Sequence, residues 1–365
     1  MKITDIKASF HNLTVDVPVF EKPTVSRNFV FCEVETDEGI KGHGIGGGTY
    51  LGRSTVTAIN KDFKDVLVGL DPRETERIHD EVWWKMNNRA MTGVVTTALA
   101  AIDIACWDIR GKKEGRTIAQ LCGGHRDYAE MYVTFGFAQY DLDQLKEAAK
   151  LQVKAGTQRL KMVVSDGTES WREDAARVRA VRDIIGPDRD LMIDANYMTD
   201  PHSAKKLCHA IEECDITWFE EPVYAVDAWN MGELRASTKV PISAGQNIPS
   251  RWRFRELICN HAIDLVQPNP VWSSGYTETV KIGHLAQAFN MPITNGGGWP
   301  IHNMHHIAGL MNGMWVEFHL GIQAVGEAIY VDAPTPEDNI IKIPDRPGLG
   351  FEPNYDVLKD CEIKD

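Results

Sequence analysis

No run of this 365-residue sequence is apolar for long enough to span a bilayer, which excludes a helical membrane span. The opening MKITDIKASF lacks a basic start followed by an apolar stretch, so no secretory signal is expected. Paired cysteines are lacking too. Cys32, Cys106, Cys122, Cys208, Cys214, Cys259 and Cys361 are scattered, odd in number and free of any CxxC. That pattern argues against a disulfide framework or a cysteine zinc site, and for reduced thiols in a cytoplasmic protein. Basic residues are outnumbered 39 to 52, giving a net charge of −13, so neither nucleic acid nor an acidic membrane is an expected partner. An anionic substrate would need local cations to draw it in. The glycines from Gly42 to Gly48 do not make a dinucleotide site, because they follow a hairpin instead of joining a strand to a helix. A mobile loop is expected there.

The apolar and charged fractions, 43% and 25%, are those of an ordinary globular protein, and the length suits one large domain with a smaller one. The first third reads as α+β: strand character at 1–10 and 29–36, a turn at Asp37-Glu38-Gly39, then helical patterns near 52–70, 73–88 and 92–112. From about residue 129, short apolar runs alternate with amphipathic helical stretches. The runs are MYVTFGF, RLKMVV, DLMIDAN, ITWFEEP, PISAG, LVQPN, PITNG and WVEFHL. Most end on a polar residue (Lys161, Asp194, Glu220, Gln246, Asn269, Asn295, and Glu317 or His319) at about the spacing of one βα unit. Buried strands with polar ends describe a (β/α) barrel with its site at the C-terminal face.

Asp194, Glu220 and Gln246 end three consecutive strands, and such residues converge above a barrel. Two carboxylates and an amide oxygen suit a hard cation, Mg²⁺ or Mn²⁺. Lys161 lies one strand earlier, with Arg159 two residues before it on the same strand face. A neighbouring guanidinium and a metal would lower the Lys161 pKa toward that of a working base.

The runs DANYMTD, WFEEP and SAGQN, with RLK before them, CWDIRGKKEGRTIAQLCGG upstream and PDRPGLGFE downstream, resemble the mandelate racemase and muconate lactonizing enzyme-like branch of the enolase superfamily. The resemblance covers essentially the whole chain. It implies an N-terminal α+β capping domain (1–125), a modified (β/α)₇β TIM-type barrel (126–325) and a C-terminal return to the cap (326–365). It also implies a Mg²⁺ site at Asp194, Glu220 and Gln246, a small carboxylate substrate, a proton-abstracting Lys161 with Arg159 in the outer place, cap loops near 14–26 and 42–52 that select the substrate, and a homo-oligomer. Three positions depart from the family pattern. Gln246 stands in place of a carboxylate, so the metal should bind more weakly. Asn269 and Asn295 replace the usual Asp–His dyad, and neither amide is a base at neutral pH; they become candidate substrate hydrogen-bonders.

With Lys161 as the base and no second one on the opposite face assigned, elimination on one face is easier to write than racemisation. The leading expectation is dehydration of a sugar acid to a 2-keto-3-deoxy acid, with proton return by Lys161 or by a histidine: His302 first, then His305 or His319. An epimerase, racemase or cycloisomerase is the runner-up, and a binding protein that kept the barrel but lost chemistry is a further reading. Trp299, Glu317 and Asn196 are candidate substrate contacts, Glu221 a candidate support of the metal, and Trp83-Trp84 a candidate pocket wall.

Overall fold

The computed structural model describes residues 1–19, 25–86, 92–165 and 170–364. Residues 20–24 of the expected selecting loop and 87–88 of the second expected helix lie outside them. The chain opens with an antiparallel sheet of β1 (Ile3–Val15), β2 (Val25–Thr36) and β3 (Lys41–Gly47), in that spatial order. Strand periodicity sends alternate side chains to opposite faces. Val30, Cys32 and Val34 of β2 pack with Ala98, Leu99, Ala101, Ile102 and Ala105 of the helix Val94–Glu114. Phe29 and Phe31 turn the other way, into the core shared with the barrel. The helix Val94–Glu114 is enclosed on both sides, so every residue from Thr96 to Ile109 is buried, Asp103 and Asp108 included.

The glycine run corrects an expectation. Residues 42–47 are strand rather than mobile loop. A Cβ on Gly42 would lie 2.1 Å from the Ala105 carbonyl oxygen, and one on Gly44 would lie 2.1 Å from that of Ala101. Alternate glycines let β3 approach the backbone of the long helix, a packing role at negative φ.

The remainder is the modified (β/α)₇β barrel. Parallel strands β4 (Tyr128–Gly136), β5 (Arg159–Val163), β6 (Asp190–Asp194), β7 (Ile216–Glu220), β8 (Ile242–Ala244), β9 (Leu265–Val266) and β10 (Trp315–His319) follow one another, and β10 pairs back onto β4. The expected strand PITNG survives as Ile293, which bridges Val266 on one side and Gly313 on the other and so closes the ring. Between strands lie amphipathic helices such as Leu142–Lys154 and Trp171–Ile185, each opened by a capping box (Asp141 with Gln144, Ser170 with Glu173). The C-terminal tail returns to the first strand, where Ile363 N donates to Phe10 O and Asn12 N to Cys361 O. Among the described residues no helix is long and apolar enough to cross a membrane.

Candidate active site

Tyr132, Met192, Trp218 and Leu265 fill the barrel interior and form an apolar floor. Lys161 rises beside it, 5.4 Å over the Tyr132 ring, from the middle of β5. The strand itself ends at Val163, which pairs in register with Asp194. The long side chain carries Nζ up to the carboxylates: 3.1 Å from Asp194 Oδ2, 2.8 Å from Glu220 Oε2 and 2.9 Å from Glu317 Oε1. All four groups are buried, so each charge depends on its partners. Burial by itself would lower the lysine pKa, but the fields of Asp194, Glu220 and Glu317 outweigh it and hold the ammonium well above its ordinary value. Burial raises the Glu220 carboxyl to about 8, with Lys161 opposing the shift and Asp194 and Glu317 adding to it. Burial likewise pushes Glu317 up, but Lys161, then His319, and hydrogen bonds from Thr134 and Lys161 bring it below its usual range.

Each carboxylate is further fixed by donors. Asn196 N and Nδ2 donate to Asp194 Oδ1 at 2.8 and 3.4 Å. Gln267 Nε2 (2.8 Å) and Trp218 Nε1 (3.3 Å) donate to Glu220 Oε2. Thr134 Oγ1 donates to Glu317 Oε1, and Gly298 N to Oε2 at 2.6 Å. Glu221 stands behind Gln246, accepting from Gln246 Nε2 at 2.8 Å and from the Tyr197 hydroxyl. Asn196, Tyr197 and Glu221 all take positive φ (48°, 63° and 46°), so the turns leaving two ligand strands are held in the sparsely populated left-handed region. Such strain gathers where side chains must be aimed.

Gln246 donates through its nitrogen, which leaves the amide oxygen free. Glu220 Oε1 is buried with no hydrogen-bond partner. Both oxygens point to one spot, since a Cβ on Gly296 would lie 2.6 Å from Glu220 Oε1 and 3.0 Å from Gln246 Oε1. Glycine at 296 keeps that spot clear. The donor set Asp194, Glu220 and Gln246 therefore fits a hard divalent cation, with hard oxygens only and one carboxylate oxygen lacking any other partner. No group of three or more His, Cys, Asp or Glu among the described residues is arranged to hold a metal, as expected where an amide replaces the third carboxylate.

Other predicted residues lie elsewhere. Arg159 sits at the start of β5, on the opposite rim of the barrel, paired with Glu130 and Asp190 and stacked 4.6 Å over Trp315. It does not lower the Lys161 pKa. His302 is enclosed in an aromatic box of Trp299, Tyr330 and Phe351, with Nε2 3.2 Å from the Tyr330 hydroxyl, and burial holds it neutral well below the ordinary histidine pKa. None of these contacts involves Lys161 or its carboxylates. His305 is buried behind it against Tyr276. Asn269 is committed to the loop: its Nδ2 donates to Gly296 O (2.7 Å) and Gly298 O (3.3 Å), while its Oδ1 accepts from Val271 N and Asn303 Nδ2. Asn295 Oδ1 accepts from Glu317 N, and its Nδ2 donates to Gly298 O. Both asparagines hold the 296–298 loop and Glu317 in place and have little left for substrate. Trp299 is a seam residue, edge-on to Phe29 of the cap at 6.0 Å. Trp83 packs on Trp252 at the cap–barrel junction, and Trp84 is exposed there.

Sequence reasoning passed over Thr134, Gln267, Tyr197 and Trp272. Trp272 lies over the site mouth, its ring so close that a Cβ on Gly47 of the cap would lie 2.0 Å from it. A polar residue at a barrel strand end was the available signal for Gln267; for Trp272 there was none.

Residues 12–123 match the mandelate racemase / muconate lactonizing enzyme N-terminal domain, and residues 144–357 the enolase C-terminal domain-like family. The arabinonate dehydratase of Saccharolobus solfataricus is 28% identical over 92% of this chain and 91% of its own length. The D-galactarolactone cycloisomerase of Agrobacterium fabrum is 30% identical over the whole of both chains. Among solved structures, the L-talarate/galactarate dehydratase of Salmonella typhimurium LT2 with Mg and L-lyxarohydroxamate superposes with a TM-score of 0.89, covering 100% of this chain and 93% of that one at 26% identity.

Proposed function

Because this chain belongs to the mandelate racemase and muconate lactonizing enzyme branch of the enolase superfamily, we propose that it is a Mg²⁺-dependent dehydratase of a sugar acid, forming a 2-keto-3-deoxy acid. The observation that carries the reading is the buried cluster of Lys161 with Asp194, Glu220 and Glu317, beside an unpartnered carboxylate oxygen. Asp194, Glu220 and Gln246 would hold Mg²⁺, which would supply a Lewis acid for the substrate carboxylate; occupied in that way, Asp194 and Glu220 would no longer hold Lys161 protonated as strongly. Lys161 Nζ, as the amine, takes the proton from the α-carbon. Glu317, aimed by Thr134 and Gly298 N, holds the lysine at 2.9 Å. The β-hydroxyl leaves as water once Nζ returns that proton on the same face, and the resulting enol tautomerises to the keto acid. One residue handles both transfers, since His302 is enclosed elsewhere and Asn269 and Asn295 carry no exchangeable charge.

A second reading is favoured by the full-length match to a cycloisomerase: the same proton abstraction with a ring oxygen as leaving group and no loss of water. Incubation with Mg²⁺ and a panel of acid sugars and their lactones, followed by proton NMR and mass spectrometry, separates the two. Loss of 18 mass units (one water) with a new methylene signal supports the dehydratase. A product of unchanged mass from a lactone supports the isomerase. Inertness toward the whole panel contradicts both.

A further inference from the structure

The reading above accounts for one end of the substrate, the carboxylate over Lys161 and the metal ligands. Arg27 of the cap is not used by it. On β2, Arg27 shares the barrel-facing side with Phe29, whose ring meets Trp299 at the site's seam. Its Nε is buried and has no hydrogen-bond partner, and no carboxylate pairs with its guanidinium among the described residues. Glu317 is bound instead by Lys161, Thr134 and Gly298 N.

The position of Arg27 over the barrel mouth follows from its neighbours. Gly321, two residues after the end of β10, faces it: a Cβ there would lie 3.5 Å from Arg27 Nη2, an ordinary contact distance, and 3.0 Å from Val25 Cγ1. His319, the last residue of β10, has a buried Nδ1 that also lacks a partner. Burial and the nearby Arg27 charge lower the His319 pKa to about 4, so the ring is neutral and one nitrogen is available as a donor. Val25, Arg27 and Gly321 belong to a contact between the cap sheet and the helix Leu320–Ile329. A half-buried guanidinium without a counter-charge is costly, and the usual resolution is an anion that arrives with the ligand.

We propose that Arg27, with His319 beside it, binds a second carboxylate at the distal end of the substrate, so that the preferred substrate class is the acid sugars with two carboxylates. This rests on the carboxylate reading of the Lys161 site and deepens it. Two cationic ends, metal with Lys161 on the barrel and Arg27 on the cap, recognise a dianion. They also meet the need for local attraction in a protein of net charge −13.

Calorimetry in Mg²⁺ with matched aldonic and aldaric acids, of equal carbon number and configuration, tests this on the wild type, Arg27→Gln and Arg27→Lys. The wild type is expected to bind diacids at least about tenfold more tightly than monoacids. Arg27→Gln is expected to remove that preference and leave monoacid affinity unchanged, and Arg27→Lys to restore part of it. Equal weakening of both classes in Arg27→Gln, or a wild type that binds monoacids as well as diacids, would overturn the proposal while leaving the Lys161 site intact. A wild type that binds Mg²⁺ but no acid of either class would overturn the carboxylate reading and this inference with it.

Discussion

At the scale of single residues, the site depends on one ammonium balanced by buried carboxylates and, in the function proposed above, on one glycine that keeps a cation position open. Gly296→Ala tests the second. Its methyl would press on Glu220 Oε1 and Gln246 Oε1, the two oxygens without protein donors. Mg²⁺ affinity measured by calorimetry is expected to fall by about tenfold or more, roughly 1.4 kcal/mol, with the circular dichroism spectrum unchanged. Unchanged Mg²⁺ affinity would place the metal elsewhere. Asp194, Glu220 and Lys161 were legible in the sequence because polar residues at or near the ends of consecutive barrel strands share one space, whatever the loops do. Arg159 misled for a geometric reason. Residues i and i+2 of a strand share a face but are separated by about 6.6 Å along it, enough to put Arg159 on the opposite rim. His302 misled because counting helical turns gives height along a helix, and the packing of the cap and tail then decides what its side chain meets.

At the scale of elements, β3 and the helix Val94–Glu114 are a closely fitted pair. The sequence displays the glycines but not their partner, so the run reads as a loop until the helix is placed against it. Gly44→Ala would set a methyl 2.1 Å from the Ala101 carbonyl oxygen. The strand would have to move away from the helix, at a cost of about 1–3 kcal/mol. A thermal midpoint several degrees lower is the expected result in calorimetric scans; an unchanged midpoint would show that the two elements are not in such contact. The barrel strands themselves were legible because runs buried on both faces read as continuous apolar segments. The weakest of them, PITNG, contributes a single bridging residue, Ile293, between Val266 and Gly313. Nothing in the strand that carries Arg27 marks it out, because its neighbours His319 and Gly321 lie nearly three hundred positions away in the chain.

At the scale of the whole molecule, the helix Pro300–Gly309 carries several buried histidines between barrel and cap. Burial lowers His305 to about 4 and His306 to about 3. A histidine depressed in the folded state stays neutral there, while the unfolded chain takes up protons below about 6.5. Its contribution to stability is thus present above that pH and lost as pH falls toward the folded value. Between pH 7 and 5 each of the two costs on the order of 2 kcal/mol. The raised carboxyls of Glu220 and Glu221 act in the opposite direction, so the comparison must isolate one group. Urea unfolding of wild type and His306→Gln at both pH values does so. The wild type is expected to lose about 2 kcal/mol more than the variant on acidification; parallel losses would show that His306 is not buried neutral.

The central claim is that Lys161 is the proton-transferring centre of a carboxylate- and Mg²⁺-binding site. Its most direct test measures turnover and Mg²⁺ binding together on Lys161→Met, using an acid sugar that the wild type converts. Removing the ammonium frees Asp194 and Glu220 of a competing cation. The account therefore predicts Mg²⁺ binding at least as tight as in the wild type, with turnover lower by at least about a thousandfold and no exchange of the α-proton for solvent deuterium. Conversion or exchange at near wild-type rate by the variant would contradict it.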